Sequence, residues 1–348
     1  MATVITNLLS AIPIFGQDIV ELINFTPASF TGVGEYLTML NAAIYKVLPT
    51  IGTVNKHALK KGKILRLDKQ EILSIPYQIL AFIAGLIDGD GYIKVTRSTK
   101  GFITIKLVIT IHLEDLSTLE YIHSVLKLGK ITINRDHKSP NCSLRISRTD
   151  LQEVLFPLLL HHGIFFLTEV RRAQFNLAMF ILKEELKFYD QIQKFNGFSG
   201  APSAQANASL AVSRGKSKEI PLYFEVPKTA LDYLNLHFFK NWLVGFTQAE
   251  GYFCVKANND GCFQLKQRIH VLLFEAFNLI FKTSRKIEIE KCMYNQFSVS
   301  SKKDIQAVIN FFSFSGYHPL IGLKCTQYLK WLTTLRNSYK YSKLNLPQ

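Results

Sequence analysis

The sequence predicts an α+β fold of two pseudo-symmetric domains that meet along a pair of helices. Three observations carry this expectation. A short motif occurs twice, as Ile83-Ala84-Gly85-Leu86-Ile87-Asp88-Gly89-Asp90-Gly91-Tyr92 and as Leu243-Val244-Gly245-Phe246-Thr247-Gln248-Ala249-Glu250-Gly251-Tyr252. The same order of strand and helix patterns follows each copy, which is the mark of an internal repeat. Between the halves, residues 197–218 are small, polar and rich in turn formers, a composition that suits a linker.

The expected organisation follows. Residues 1–70 form a leader with a basic stretch at Lys56–Lys63. Residues 71–190 form the first domain, 191–235 the linker, 236–340 the second domain and 341–348 a tail. Pro76 opens the first motif helix, since proline is tolerated in a first turn, and that helix ends at Asp90. Strands are predicted at Tyr92–Thr96 and over 102–112, where Thr104, Lys106, Thr110 and His112 alternate with Ile103, Ile105, Leu107, Ile109 and Ile111. A helix over Glu114–Leu128 follows, then strands at Ile131–Asn134 and Ser143–Arg148. Asp150 is the expected N-cap of a helix over 151–160, and Thr168 of one reaching about Lys187. The second half repeats this order. A helix over 237–250 precedes strands at Tyr252–Lys256 and through His270, where Gln264, Lys266, Arg268 and His270 alternate with Leu265, Ile269 and Val271. Then come a helix to about Lys282, strands at Lys286–Glu290 and Asn295–Ser300, and helices at Lys303–Phe314 and Lys324–Leu335.

Composition narrows the function classes. The chain has 348 residues and a formal net charge of +15, a balance that favours an anionic partner such as nucleic acid. Five scattered cysteines without a C-x-x-C pair argue against a disulfide framework or a zinc site. No stretch approaches the ~20 apolar residues of a membrane span, so no membrane partner is expected.

The motif has its own physical logic. Ala81, Gly85 and Gly89 share one helix face, and Gly245 and Ala249 share the matching face of the second copy. Glycine inside a helix costs roughly 1 kcal/mol against alanine, so a stripe of small residues points to backbones in close contact. Gly91 and Gly251 are placed as left-handed helix stops. If the two helices pair, Asp90 and Glu250 meet at two negative helix ends. That arrangement calls for a cation, and oxygen-ligated Mg²⁺ completed by water and phosphate is the natural one. Asp90, Glu250, Gly89 and Ala249 are the candidate metal set.

Both motifs resemble the signature of the LAGLIDADG homing endonucleases in their single-chain, two-motif form, over roughly residues 75–340. The resemblance implies two αββαββα domains with saddle-shaped antiparallel sheets and a paired-helix interface, working as a monomer. It implies site-specific hydrolysis of double-stranded DNA with Mg²⁺ at Asp90 and Glu250. A basic residue is expected near the start of the last helix of each repeat. Lys324 fits that place in the second repeat; in the first, the corresponding position aligns with Glu169, a departure from the pattern. The polar strand faces would meet the duplex through Lys94, Thr96, Thr104, Lys106 and Thr110, and through Lys256, Gln264, Lys266, Arg268 and His270.

Residues 3–23 are similar to an internal piece of mitochondrial cytochrome b, and the first 45 residues hold no Lys or Arg, unlike a transit peptide. The expectation is therefore a protein encoded by a group I intron and made inside the mitochondrion. Relatives of that origin often serve as maturases, so the alternative function is binding of the host intron RNA without DNA cleavage. Lys330, Arg336, Lys340 and the 56–63 stretch suit either polymer.

Overall fold

The computed structural model describes residues 69–136, 138–193 and 223–347. The cytochrome b-like segment, the basic 56–63 stretch and the linker core at 197–218 lie outside the described residues. After a short helix at Lys69–Leu73, the first domain runs α1 (Tyr77–Asp90), β1 (Gly91–Arg97), β2 (Ile103–His112), α2 (Leu116–Leu126), β3 (Lys130–Asn134), β4 (Asn141–Ser147), α3 (Phe156–His161) and α4 (Glu169–Lys183). The second runs α5 (Phe239–Glu250), β5 (Gly251–Val255), β6 (Gly261–Arg268), α6 (Val271–Phe281), β7 (Glu288–Glu290), β8 (Tyr294–Val299), α7 (Lys302–Ile309) and α8 (Gly322–Arg336). The two antiparallel sheets have the same strand order, β1-β2-β4-β3 and β5-β6-β8-β7. Even the exits match. Both α2 and α6 end on a lysine in the left-handed region, Lys127 and Lys282, each at φ 50°.

Helices α1 and α5 are apolar almost all round, so both are interior elements. Leu80, Phe82, Ile83, Leu86 and Ile87 on α1, and Phe239, Trp242, Leu243 and Phe246 on α5, are at most 1% exposed. Each such side chain contributes about 1.5–3 kcal/mol when removed from water. The glycines decide how close the helices come. A Cβ placed on Gly85 would sit 2.0 Å from the Trp242 carbonyl oxygen, and one on Gly245 only 1.8 Å from that of Phe82. Each glycine faces the backbone of the opposite helix at Phe82 or Trp242, and Gly89 faces Ala249. Polar groups fix the register, with Trp242 Nε1 donating to Asp88 at 2.8 Å. On the opposite side His318 stacks on Phe82 with ring centroids 4.0 Å apart. Its backbone N–H donates to Asn241, and its Nε2 bonds the Tyr121 hydroxyl.

Several local expectations are corrected. Pro76 stands just before α1 at the N-cap position, with φ −61° and ψ 137°. Ser147, not Asp150, caps the helical stretch after β4, because its hydroxyl accepts the Asp150 N–H. Thr168 holds the N-cap position of α4, but its hydroxyl is turned to Asp88. Helix α4 stops at Lys183, and β7 is only three residues long. The end of the expected linker is folded: Phe224 stacks on Phe165, and Thr229 and Asp232 form a capping box on the helix Ala230–Asn235. The expected tail is folded too. Tyr341 is 1% exposed and its hydroxyl accepts the Gly261 N–H at 2.7 Å. No helix among the described residues is long and apolar enough to cross a membrane.

The helix contact yields a stability test. Gly245→Ala puts a methyl group into the Phe82 backbone, and overpacking of this kind costs about 1–3 kcal/mol. Urea unfolding of the variant should show at least that loss, and an unchanged midpoint would contradict the contact.

Candidate active site

Each motif helix runs directly into a strand, and the motif acid is its last residue. Gly91 and Gly251 do not adopt the left-handed conformation expected of them. They are extended, at φ −92° and −80°. Their glycine identity has another cause: a Cβ at Gly91 would lie 2.8 Å from Ile87 Cα, and one at Gly251 2.5 Å from the Thr247 carbonyl oxygen. The chain thus folds back on its own last helical turn, which leaves Asp90 and Glu250 at adjoining junctions. A Cβ on Gly89 would be 3.5 Å from Glu250 Oε1.

Burial raises both acids. The Asp90 carboxyl is pushed up to about 6 by desolvation, with Asp115 adding to the rise and Lys324 and Arg171 opposing it. Glu250 is pushed up to about 7 by desolvation and then by the charge of Asp90, against a hydrogen bond from Gln267 and the charges of Arg171 and Lys324. The charge of Asp90 thus reaches Glu250 across the helix pair. Gln267 Nε2 donates to Glu250 Oε1 at 2.7 Å. The matching place in the first sheet is Ile111, two residues beyond the partner of the junction glycine in each strand pair. Asp90 has no donor from there.

The basic residue missing from the first repeat is present. Arg171 is the third residue of α4, as Lys324 is the third of α8. Arg171 Nε donates to the Ile87 carbonyl at 3.2 Å and Nη2 to that of Gly89 at 3.4 Å. Lys324 Nζ donates to the Gly251 carbonyl. Each cation thus sits on the carbonyls at the end of its own motif helix, where the helix dipole is negative. The alignment of Glu169 with this position is two residues out. Glu169 instead lies near His270, whose pKa burial lowers to about 4 while the Glu169 charge opposes the fall.

Asp88, the other acid of the first motif, has a structural task. It is 1% exposed and accepts from Leu167 N at 2.7 Å, Thr168 N at 3.1 Å, Thr168 Oγ1 at 2.5 Å and Trp242 Nε1 at 2.8 Å. It thereby ties the start of α4, which carries Arg171, to α1. Burial pushes its carboxyl up to about 6 in spite of these bonds.

A sequence profile described as LAGLIDADG endonuclease matches residues 83–165. The match lies within the first domain, from the motif helix α1 to the segment just before α4. Solved structures of LAGLIDADG endonucleases share the fold over about three quarters of the chain. The LAGLIDADG meganuclease I-CpaMI bound to uncleaved DNA is 20% identical over 76% of this chain and 94% of that chain, with a TM-score of 0.56. For the I-LtrWI LAGLIDADG homing endonuclease bound to target DNA the values are 20%, 78%, 98% and 0.53. For the meganuclease I-AabMI bound to uncleaved DNA they are 19%, 73%, 89% and 0.52.

The LAGLIDADG sheets turn one face to the helices and one outward. On the first, the strand register aligns Tyr92, Lys94 and Thr96 with Val108, Lys106 and Thr104, and continues through Thr110 and His112 to Ser143, Arg145 and Ser147. Lys130 lies opposite Arg145 on the edge strand. Lys94, Lys106, Lys130 and Arg145 are all exposed. Sequence reading found the first two and missed the others, although Arg145 alternates with the buried Leu144 and Ile146. On the second sheet Tyr252, Gln264, Lys266 and Arg268 share the outer face, with Lys256 just past the end of β5. This face is less basic than expected. Its edge strand carries Glu288 and Glu290, and Glu290 pairs with Lys266. His270 is not on it, since β6 ends at Arg268 and His270 is the N-cap residue of α6.

The acids fit a hard cation. Among the described residues no three His, Cys, Asp or Glu side chains form a metal-binding group. The donors on offer are two carboxylates and helix-end carbonyls, a partial oxygen set of the kind Mg²⁺ completes with water and phosphate. Of the other residues assigned to the metal, Gly89 accepts the Arg171 bond through its carbonyl, which keeps a second lone pair. Ala249 packs its methyl group beside Gly89.

The three raised carboxyls set a pH dependence. Asp88, Asp90 and Glu250 all have folded values above their unfolded ones. Folding therefore favours their protonated forms. Their contribution to stability is full below about pH 4 and is lost as the pH rises through 6 to 7. Denaturant unfolding in chelator should show that decline between pH 4 and 7, and the double variant Asp90→Asn/Glu250→Gln should show a shallower one.

Proposed function

We propose that the protein is an intron-encoded, site-specific endonuclease that hydrolyses both strands of a double-stranded DNA target as a monomer. The observation that carries this reading is the meeting of two half-buried carboxylates with two cations, Arg171 and Lys324, at the junction of two outward-facing sheets. Asp90 and Glu250 would hold Mg²⁺, which supplies an activated water and neutralises charge at the phosphate. Gln267 orients Glu250. Arg171 and Lys324, fixed on helix-end carbonyls, supply positive charge next to the leaving oxygen without rearrangement during the reaction. Lys94, Lys106, Lys130 and Arg145 would neutralise backbone phosphates. Thr104, Thr110 and Gln264 can read base edges in the major groove.

A second activity rests on the cytochrome b-like residues 3–23. It is assistance to splicing of the host group I intron RNA, inside the mitochondrion that encodes the protein. Splicing needs binding energy and not hydrolysis. The variant Asp90→Asn/Glu250→Gln would then keep splicing stimulation at low Mg²⁺ while losing DNA cleavage.

The test is incubation of the purified protein with intronless cytochrome b gene DNA. Wild type should cut at one site with Mg²⁺ and not in chelator. Asp90→Asn and Glu250→Gln should abolish cutting and leave binding largely intact. Replacing Arg145 or Lys130 by alanine should reduce the slope of log affinity against log salt by about 0.9 each. Cleavage retained in Glu250→Gln, or binding indifferent to salt, would refute the reading.

A further inference from the structure

We propose that Asp115, a residue of the first domain, positions Lys324 of the second. The catalytic consequence rests on the endonuclease reading above; the geometry does not. Helix α8 begins at Gly322, two residues before Lys324. The Leu323 N–H donates to Asp115 Oδ1 at 2.8 Å. The Thr118 hydroxyl donates to the same oxygen at 2.9 Å. Gly322 has φ +52°, and a Cβ there would fall 2.1 Å from Asp115 Oδ1 and 2.6 Å from Thr118 Oγ1. Only glycine allows both that conformation and that approach. From the other side Gln248 grips the preceding residue, accepting the Ile321 N–H at 3.2 Å and donating to the Ile321 carbonyl at 3.0 Å. Gln248 also reaches Thr118 Oγ1 at 3.4 Å. The turn that launches Lys324 is therefore held between its own motif helix and the opposite domain.

The first domain solves the same problem differently. Asp88 and Gln248 occupy matching places, each two residues before the motif acid. Asp88 supplies a carboxylate to residues 167 and 168 on its own. Gln248 is neutral and bonds only Ile321 of that turn. The carboxylate for the second turn comes from across the interface. The residue matching Asp115 is His270, since both stand at the N-cap of the helix after the first hairpin. His270 is within electrostatic reach of Glu169 but offers no carboxylate to that turn, so the clamp on Lys324 has no copy on Arg171. Asp115 also lies within electrostatic reach of Lys324, so its charge and its hydrogen bond act on the same group.

The test uses the full chain and reads structure and activity separately. In Asp115→Ala, amide hydrogen exchange at Leu323 and Lys324 should speed up while other helices keep their protection, and Asp115→Asn should restore slow exchange. Single-turnover cleavage by Asp115→Ala should fall about tenfold, as for other residues that orient catalytic groups, with DNA affinity unchanged. Asp115→Ala/Lys324→Met should cleave no more slowly than Lys324→Met, because residues acting through one another are not additive. Thr118→Val, which loosens Asp115 without removing it, should move both readouts the same way and serves if Asp115→Ala does not fold. Unchanged exchange at Leu323 would overturn the proposal whether or not the protein cuts DNA. Multiplicative losses in the double variant would overturn the catalytic part. A wild type that cuts no DNA, with the exchange pattern as expected, would overturn the endonuclease reading and leave the clamp standing.

Discussion

Gly85 and Gly245 let two helix backbones touch, and almost everything else in the structure is arranged around that contact. With any side chain at either position the helices would have to separate by the width of a methyl group or more. Asp90 would then stand away from Glu250 instead of raising its pKa. The Asp88–Trp242 bond and the stack of His318 on Phe82 span the same interface. They fix its register, but they depend on the close approach and do not create it. An apolar seam alone would let helices slide; two glycines that each admit one opposing carbonyl do not.

Much of the architecture was legible because the repeat is. Apolar runs with small residues four apart announce paired interior helices, and alternation over Ile103–His112, interrupted only at Val108, announces a sheet with one buried face. Where sequence reading failed, the causes were mostly local packing and capping, and in one case a bond made far along the chain. Gly91 and Gly251 look like left-handed stops, yet they are demanded by the helix turn behind them. His270 fits the alternation of its strand until the helix after it claims it as a cap. Tyr341 looks like part of a tail because its partner, the Gly261 N–H, is eighty residues away. Glu169 attracted attention only because the alignment was two residues out, and counting from the helix start gives Arg171 the same position in α4 that Lys324 has in α8.

The two halves of the site have the same plan and different parts. Glu250 is longer than Asp90 and is held by Gln267, where the first domain offers Ile111. The cation of the first half is a guanidinium on two carbonyls; that of the second is an ammonium on one. The first turn of α4 is anchored by a carboxylate from its own domain and that of α8 by one from the other. Once a pair of sites is encoded by one chain, each half is free to drift, provided the shared helix contact survives.

That contact also has a history within the life of each molecule. The first domain leaves the ribosome with the glycine stripe of α1 complete and nothing to lay against it. At ordinary elongation rates of ~5–20 residues per second, α5 follows on the order of ten seconds later. During that interval Asp88 lacks Trp242, Phe82 lacks His318, and a strip of bare helix backbone faces solvent or a chaperone. The second domain is born with its counterpart waiting. It can use the first as a template, so the seam closes by addition to a preformed surface and not by the meeting of two finished bodies.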